Sequence, residues 1–383
     1  MTLEYSQLLY PGQEKGTAIL RQATRHNRFL YAIILLLTIA LGFNYYSIEN
    51  NEVIETPTTP CPAPIVELKS QQPDLVYRGV VDSMDGIGYK FKDSGALPLD
   101  PRYSELDRMA KCDLSTNPVN PANNVTKIME AFNNCVKPKL ETFGGSALSM
   151  DLGWVETMKS CDDVKEFENL KIEPFNNLHE TKWVVLPRCK EANTMVTLGV
   201  GHDTKAEEFL NRTLPGTSFY GADPIIEPNI QLYSAFGKFF PFAVGRQSGM
   251  TSFKVLPNQN QKTRRYVWQD VTTIEVTYFL EEVLKLKRID IMWVDIEGGE
   301  FEFLDYVHKG AKFDQHGITI CQFNFEMHPV LRDDGDAKFK QFIDTIMEQG
   351  RYIFLKPRRT GRGVFRMFVL NMEDPTCLRK FVL

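Results

Sequence analysis

The stretch over residues 288–307 constrains the fold of this chain more than any other. It reads Arg-Ile-Asp-Ile-Met-Trp-Val-Asp-Ile-Glu-Gly-Gly-Glu-Phe-Glu-Phe-Leu-Asp-Tyr-Val. Its first part is apolar and rich in β-favouring residues, which predicts a buried strand. The two glycines end that strand, and apolar residues at helical spacing predict a helix over Glu300–His308. Asp295 and Glu297 therefore lie where a strand ends and a helix begins, the edge at which open α/β sheets bind ligands.

The C-terminal half of the chain alternates short apolar runs with amphipathic ones. This alternation predicts an α/β, Rossmann-like, largely parallel sheet with helices on both faces. The last two strands are joined by the short turn Lys356–Gly363, which predicts a C-terminal antiparallel hairpin. The predicted strands are Met195–Leu198, Ser218–Gly221, Phe239–Val244, Ser252–Val255, Ile289–Val294, Ile318–Phe325, Tyr352–Leu355 and Phe365–Leu370. The predicted helices are Lys205–Arg212, Val276–Leu286, Glu300–His308 and Lys338–Gln349.

An uncharged apolar run over residues 29–43, extended by Tyr45 and Tyr46, stands near the start of the chain. It is close to the roughly 17–25 residues that cross a bilayer. Basic residues precede it and acidic residues follow, which favours a signal anchor with a cytosolic N-terminus. A cleaved signal peptide is the less favoured alternative, because a long polar stretch comes first. We therefore expect a single-pass type II membrane protein whose folded part is lumenal, in the Golgi or endoplasmic reticulum.

The predicted organisation has five parts. They are a cytosolic tail (1–28), a transmembrane anchor (29–46), a proline-rich stem (47–73), a mixed N-terminal cap region of unknown role (74–190) and the α/β domain (191–383). Helices are plausible in the cap region at Tyr103–Lys111, Val125–Cys135 and Cys161–Leu170. The formal net charge of −5 gives no support for nucleic acid as a partner.

All seven cysteines follow the apolar run, on the side where disulfides persist. Four of them cluster and could form two bridges whose connectivity is open, and the odd total leaves at least one cysteine unpaired or intermolecular. The clustered cysteines are Cys112, Cys135, Cys161 and Cys189. Two glycosylation sequons begin at Asn124 and Asn211, on the same predicted side of the membrane.

A glycine turn follows the first strand of the α/β domain. Gly199 and Gly201 allow a tight turn and close approach of a ligand, although the third glycine of the dinucleotide fingerprint is absent. Asp223 ends the next strand, where an acid can hold ribose hydroxyls. His202 either covers the ligand or begins the helix. The pattern predicts an adenosine-type cofactor, and S-adenosylmethionine is favoured over NAD because it has no pyrophosphate; an ordinary strand-to-helix turn is the structural alternative.

A third polar pair, Glu326 and His328, stands at the end of a later strand. The three strand ends should meet in one crevice, because parallel strands end on the same edge. Two chemistries fit: removal of a proton by His328 or by a carboxylate with raised pKa, and binding of Mg²⁺ or Mn²⁺ by Asp295, Glu297, Glu326 and His328. Helix capping by the acids is a third reading. We favour the site without a metal.

These residues resemble the FkbM-type methyltransferases, a class I S-adenosylmethionine-dependent family. The segment Val294-Asp-Ile-Glu-Gly-Gly-Glu300 is similar to the family's Ile-Asp-Val-Glu-Gly-Ala-Glu block. The resemblance runs from Thr194 to about Leu370, and with the anchor and stem the whole chain resembles the nematode branch of the family. Further matching segments are Phe239–Gly245, Ala222–Pro224 and Phe325–His328.

The chain departs from the family pattern at its first motif. The family usually has Asp-x-Gly-Ala-Asn-x-Gly, whereas this chain has Thr197 for the aspartate, Gly201 for the asparagine and Asp203 for the last glycine. Trp293 stands where a lysine is often found. These changes concern the residues expected near the methionine end of the cofactor.

The resemblance implies O-methylation of a hydroxyl, and the lumenal placement suggests a glycan or glycoconjugate acceptor. Two rivals remain: an inactive membrane-tethered binding protein that keeps the fold, and, less favoured, an NAD-linked sugar-modifying enzyme. The residues expected to bind the cofactor are Gly199, Gly201, His202, Asp223 and Asp295. Those expected to bind the acceptor or act in catalysis are Asp295, Glu326 and His328.

Overall fold

The computed structural model describes residues 106, 108–115, 117, 123–142, 155, 157–257, 265–302, 304–328, 335–360 and 364–383. The tail, anchor and stem expected over residues 1–73 lie outside these described residues. Among the described residues, no helix combines the length and apolar character needed to cross a membrane.

Fourteen strands are present in this part of the chain. In order they are β1 (Ile172–Asn176), β2 (Thr181–Val185), β3 (Thr194–Leu198), β4 (Ser218–Ala222), β5 (Lys238–Phe240), β6 (Ala243–Gly245), β7 (Gly249–Val255), β8 (Val267–Glu275), β9 (Arg288–Ile289), β10 (Ile291–Val294), β11 (Thr319–Ile320), β12 (Gln322–Met327), β13 (Tyr352–Thr360) and β14 (Val364–Asn371).

Helices connect most of these strands. The α-helices are α1 (Asn123–Thr142), α2 (Lys205–Thr213), α3 (Asn229–Ser234), α4 (Val276–Tyr278), α5 (Lys312–Gln315), α6 (Gly335–Gln349) and α7 (Pro375–Cys377). Short 3-10 helices span Lys165–Asn169, Gly299–Glu302 and Leu304–Val307, and π-helical turns span Phe279–Val283 and Leu378–Val382.

Seven strands form the central sheet in the order β13-β14-β12-β10-β3-β4-β5. The strands β5, β4, β3, β10 and β12 are parallel, and β14 is antiparallel to both β12 and β13. The predicted parallel sheet with a closing antiparallel hairpin is confirmed. The chain leaves β3 in one direction to form β4 and β5 and returns on its other side to form β10. A crevice opens at such a switch point, outside the carboxyl ends of the strands.

Alternate residues of the central strands face opposite layers, as the two-residue period of a strand requires. Val196 and Leu198 of β3 belong to one apolar cluster, which also contains Phe342 of α6. Met195 and Trp293 belong to a second cluster, which contains residues of α2 and α3. The sheet is therefore covered by helices on both faces, as predicted.

The hairpin β1–β2 was not predicted, and it packs directly on the central sheet. The Asn324 amide accepts a hydrogen bond from Trp183 N at 2.8 Å and donates one to Trp183 O at 2.7 Å. Gln322 makes the same pair of bonds to Val185, at 2.7 and 3.1 Å. In the part of the chain that the structure describes, the edge of β2 that faces away from β1 has no strand beside it. Side-chain amides of β12 form the hydrogen bonds that a neighbouring strand would otherwise form with the β2 backbone. The described residues of the predicted cap region form part of the core.

Three disulfides lie in the described chain: Cys112–Cys189, Cys135–Cys161 and Cys321–Cys377. The expected two bridges within the cysteine cluster are confirmed, and their connectivity is now defined. Cys61 lies outside the described residues. Within the predicted cap region, α1 confirms and extends the helix expected at Val125–Cys135. Of the helix expected at Cys161–Leu170, only Lys165–Asn169 is helical, as a short 3-10 helix.

Two further predictions differ from the structure. The helix expected over Glu300–His308 is two 3-10 turns, because the Glu300 side chain folds back onto the preceding turn instead of pointing outward. Phe239–Val244 is split into β5 and β6, and β6 joins β8 and β7 in a separate three-stranded sheet. The strand β8 was not predicted, because its solvent face is polar and it lacks a long apolar run.

Candidate active site

A cavity lies at the switch point, beyond the carboxyl ends of β3, β4, β10 and β12. It brings together the glycine turn, Asp223, Asp295 and Glu326, so the predicted convergence of three strand ends is observed. The two glycines Gly199 and Gly201 line it together with polar side chains, which include Asn177, His179, Glu180, Lys182, Thr197, His202, Asp203, Glu207, Asp223, Lys254, Tyr266, Asp295, Glu297, Glu326 and Arg366.

The glycine turn contacts the end of β10, as expected of neighbouring parallel strands. Gly199 has a φ of +83°, and a Cβ added there would lie 1.8 Å from the Asp295 carbonyl oxygen. Asp295 N donates to Leu198 O at 2.9 Å, so the two strand ends are tied together. Gly201 has a φ of +64°, and an added Cβ would meet nothing within 4 Å. Gly199 therefore serves backbone contact, whereas Gly201 leaves open space beside the cavity, which fits close approach of a ligand.

Asp223 holds the glycine turn from the neighbouring strand end. Its Oδ2 accepts hydrogen bonds from Val200 N at 2.9 Å and Gly201 N at 3.2 Å, and its Oδ1 accepts one from Ile225 N at 2.8 Å. Burial raises the pKa of Asp223 to about 6, although the N–H groups act in the opposite direction. A carboxylate has about four acceptor positions, and three of these accept backbone N–H groups. This arrangement leaves too few for two ribose hydroxyls and does not support that predicted role.

The turn between β1 and β2 is fastened to the beginning of α2. Leu178 N donates to Asp203 Oδ2 at 2.7 Å, and Ala206 N donates to Asn177 Oδ1 at 2.8 Å. Asp203, which stands in place of a glycine in the family motif, thus anchors the hairpin. The hairpin forms one wall of the cavity.

Glu300 organises the Gly-Gly turn that follows β10. Its side chain is fully buried, and its two oxygens accept hydrogen bonds from Ile296 N at 2.9 Å and Gly298 N at 2.8 Å. Glu297 in the same turn has a φ of +53°. These two hydrogen bonds explain why residues 300–308 do not form the expected α-helix, because the Glu300 side chain binds the N–H groups of the preceding turn.

His328 lies among four carboxylates. Its Nδ1 is 3.1 Å from Glu300 Oε1, and its Nε2 is 3.6 Å from both Glu297 and Glu326 and 3.9 Å from Asp295. Burial lowers the pKa of His328, but Glu300, Asp295 and Glu297 outweigh burial and raise it to about 10. His328 is thus protonated at neutral pH, and it is not among the described residues that line the cavity. The structure does not support its predicted role as the base; its charge stabilises the carboxylates around it.

Asp295 faces the cavity and keeps 28% of its side-chain surface exposed. Burial raises the pKa of Asp295 well above the ordinary value, and the nearby charge of Glu326 adds to this effect. Lys182 and His328 act in the opposite direction. Asp295 therefore binds a proton more strongly than an ordinary aspartate, as a general base must.

Glu326 faces two cationic side chains on neighbouring elements. Arg366 of β14 donates from Nε to Glu326 and lies 3.7 Å from Glu180. Lys182 Nζ lies 2.7 Å from Glu180 and is buried. Glu326 thus lines the cavity as part of an ion-pair network. Its carboxylate can still accept a hydrogen bond from a substrate hydroxyl, which agrees with the predicted role in substrate binding.

Two sets of the described residues could hold a metal ion by spacing, Asp295 with Glu300 and His328, and Glu180 with Asp295 and Glu326. Each set already contains a group paired with a protein cation. His328 contacts Glu300, and Arg366 contacts Glu326. The protein itself supplies positive charge to these carboxylates.

Several residues of the cavity were missed from sequence. Glu207 lies on the buried side of α2 beside Ala206 and Leu210, and an acid on an apolar helix stripe is a readable signal. Arg366 interrupts an apolar strand in the same way. Lys182 and Glu180 gave no such signal, because their hairpin was not recognised.

The strand order, with one antiparallel strand next to the last, and the crevice at the switch point define a Rossmann-like α/β protein of the class that binds nucleoside cofactors. The chain belongs to the Methyltransferase FkbM domain family, whose sequence profile matches residues 145–354, more than half of the chain. It is thus an S-adenosylmethionine-dependent methyltransferase by family, which favours this cofactor over NAD. The match begins well before Thr194 and ends before Leu370, so the family region includes the β1–β2 hairpin.

Solved structures give weaker likenesses. An O-methyltransferase from Bacillus cereus in complex with SAH is 12% identical, with a TM-score of 0.27, over 47% of this chain and 74% of that one. An O-methyltransferase from Klebsiella pneumoniae, described as putative, is 10% identical, with a TM-score of 0.26, over 67% and 91% of the two chains. The comparison with curated proteins found no match. Likenesses at these TM-scores carry no argument about the site.

Proposed function

We propose that this protein transfers the methyl group of S-adenosylmethionine to a hydroxyl oxygen and that Asp295 removes the hydroxyl proton. The position of Asp295 carries this proposal. It follows β10 at the switch point, contacts the glycine turn through its backbone and faces the cavity with a carboxyl group of raised pKa. The match to the methyltransferase family and the open space beside Gly201 support the cofactor.

The cofactor, when bound, supplies a methyl group on a sulfonium. The Asp295 carboxylate would take the hydroxyl proton as the acceptor oxygen receives that methyl group, and S-adenosylhomocysteine would be the product released. His328 and Lys182 place positive charge near Asp295, which favours its ionised form and opposes the effect of burial on its pKa. The hairpin wall and the glycine turn orient the two reactants.

The acceptor that we propose is a lumenal glycan or glycoconjugate. Lys254 and Tyr266 line the cavity, and Trp268, directly opposite Lys254 on β8, is 65% exposed. Side chains of directly paired residues lie on the same face of an antiparallel sheet, so Trp268 lies on the face of Lys254 and extends the cavity wall with an exposed aromatic ring. A flat aromatic surface suits the apolar face of a sugar ring.

The proposed location is the lumen, with residues 29–46 as the anchor of a type II membrane protein. Three disulfides in the described chain support an oxidising compartment. Asn124 of the first sequon is exposed. Glycosidase treatment should increase the electrophoretic mobility of the cellular protein, and protease should spare residues 106–383 in sealed vesicles. Digestion of this part in intact vesicles would contradict the orientation.

Titration calorimetry of the purified full chain tests the cofactor first. S-adenosylmethionine should bind with release or uptake of measurable heat, and NAD should not. Mass spectrometry of glycans incubated with deuterated-methyl cofactor should then detect labelled products. Asp295→Asn should lower the turnover number by roughly 10²- to 10⁴-fold, the usual contribution of a general base, while cofactor affinity changes little. Unchanged turnover in this variant would remove Asp295 from the mechanism.

An inactive binding protein that retains the fold is the second candidate. It is favoured by one observation, the use of three Asp223 acceptor positions by backbone N–H groups of the protein. In that case S-adenosylmethionine should fail to bind even at millimolar concentration. Specific binding of the cofactor together with a labelled methylated product would exclude this alternative.

A further inference from the structure

One buried acid in the cavity is not explained by the fold. Glu207 lies on α2, is only 2% exposed and lines the cavity. Its Oε1 accepts a hydrogen bond from Thr197 Oγ1 at 3.3 Å, whereas its Oε2 is buried without a hydrogen-bond partner among the described residues. A buried carboxylate oxygen that lacks a partner is costly, which indicates that the partner is a ligand.

The groups around Glu207 do not supply the missing donor. The Thr197 hydroxyl donates to Glu207 and itself accepts a hydrogen bond from Tyr233 OH at 3.1 Å. Lys182 approaches from the hairpin, but its ammonium contacts Glu180 at 2.7 Å. The charge of Lys182 lowers the pKa of Glu207 and that of Glu180 raises it. The residue that carries this unpartnered oxygen thus lines a cavity that also contains cationic groups, and Oε2 is hydrogen-bonded to none of these described groups.

Glu207 lies next to a position at which this chain differs from the family's first motif. Thr197 stands where the first motif of the FkbM family usually has an aspartate. Its hydroxyl donates the hydrogen bond that Glu207 accepts. In this chain a carboxylate thus reaches the end of β3 from the following helix instead of from the strand itself.

We infer that Glu207 binds the α-ammonium group at the methionine end of S-adenosylmethionine and replaces the acid that is absent at position 197. An ammonium group has three donors and no acceptor, so it satisfies a buried carboxylate oxygen without a competing lone pair. This inference rests on the proposed function, because it concerns the same cofactor site.

Proton release on binding is the expected consequence. Burial raises the pKa of Glu207 to about 8, against the smaller lowering effect of its own backbone N–H group. The acid is therefore mostly protonated at pH 7 before binding. A cation at hydrogen-bonding distance favours the ionised form, so Glu207 gives its proton to the solvent when the ammonium group arrives.

Calorimetry with S-adenosylhomocysteine, the demethylated product, tests this on the full chain. At pH 7 the binding heat in two buffers of different ionisation enthalpy should show release of close to one proton per site. Glu207→Gln should lower the affinity by roughly 10- to 100-fold, the usual value of a charge-assisted hydrogen bond, and should abolish the proton release. Binding of 5′-methylthioadenosine, which lacks the amino acid portion, should be equal in the two proteins.

Glu208→Gln is the matched control, because Glu208 is the next residue of α2 and is not among the described cavity residues. It should bind S-adenosylhomocysteine like the wild type. Unchanged affinity of Glu207→Gln, or wild-type binding without proton release, would overturn the inference and leave the proposed function intact. Failure of the wild type to bind S-adenosylhomocysteine or S-adenosylmethionine would overturn both. If Glu207→Gln does not fold, the proton release of the wild type decides alone.

Discussion

The Asp295 carbonyl oxygen occupies the place that a Cβ atom of residue 199 would need, at a distance of 1.8 Å. The end of β3 and the end of β10 are therefore in direct backbone contact at the point where the crevice opens. Gly199 also has a φ of +83°, which side-chain-bearing residues rarely adopt. Two independent constraints thus require glycine here, and neither of them involves a ligand.

Gly199→Ala should lower the free energy of unfolding by about 3 kcal/mol or more, through left-handed backbone strain and steric overlap together. Gly216→Ala is a matched control, because Gly216 has the same φ of +83° but an added Cβ would meet nothing within 4 Å. Gly216→Ala should lower the free energy of unfolding by about 1 kcal/mol, because only the backbone conformation is strained. Urea denaturation measures the free energy of unfolding of both variants. Equal decreases would mean that the contact between residue 199 and Asp295 adds no cost of its own.

Glu300→Gln should lower the free energy of unfolding by about 3 kcal/mol, because a buried acceptor pair is broken. Glutamine has one oxygen and one NH₂ group, so it cannot accept from both Ile296 N and Gly298 N. It also leaves His328 without its nearest carboxylate. Glu282→Gln removes only a half-exposed ion pair with Lys285 and should cost under about 1 kcal/mol. A loss no larger than this control would refute the structural role of Glu300.

Stability at alkaline pH should depend on His328. Its folded pKa of about 10 lies above the ordinary 6.5. The stabilisation is fully present below pH 6.5 and is lost as the pH rises through about 10. From pH 8 to 10 the wild type should lose up to about 1.4 kcal/mol per pH unit more than His328→Gln. Chemical denaturation at several pH values measures the difference between the two slopes. Identical slopes would show that His328 is not held protonated by its neighbours.

The strand–turn pattern around Asp295 was readable because it is local. The apolar β-favouring residues of β10 and the two glycines need no knowledge of the rest of the chain, and they led to the correct sheet edge. The glycine turn and Asp223 were likewise placed correctly at neighbouring strand ends. What each of these side chains bonds to was not readable, because Asp223 contacts Val200 and Gly201 only after β3 and β4 pair.

The predictions for Glu300 and His328 were wrong because both depend on contacts that form only in the folded chain. Glu300 has the spacing of a helical residue, but its buried carboxylate accepts backbone N–H groups of the preceding turn, and this tertiary arrangement overrides helical propensity. His328 was expected as a base because imidazole ordinarily titrates near neutral pH. Three carboxylates of the turn after β10 surround it together with Glu326. The sequence contains these acids but does not show that the turn after β10 packs against the end of β12.

Asp223→Asn distinguishes the structural role of this acid from a ribose-binding role. Asparagine keeps one acceptor oxygen but places an NH₂ group where the other carboxylate oxygen accepts N–H donors. If Asp223 holds the glycine turn, the variant without ligand should lose about 2 kcal/mol of unfolding free energy. Asp270→Asn, on the exposed face of β8, should be neutral. If Asp223 instead binds ribose, the free protein should keep its stability, and only the affinity for S-adenosylmethionine and 5′-methylthioadenosine should fall. Denaturation without ligand, followed by titration of both compounds, separates these outcomes because the backbone bonds exist before any ligand arrives.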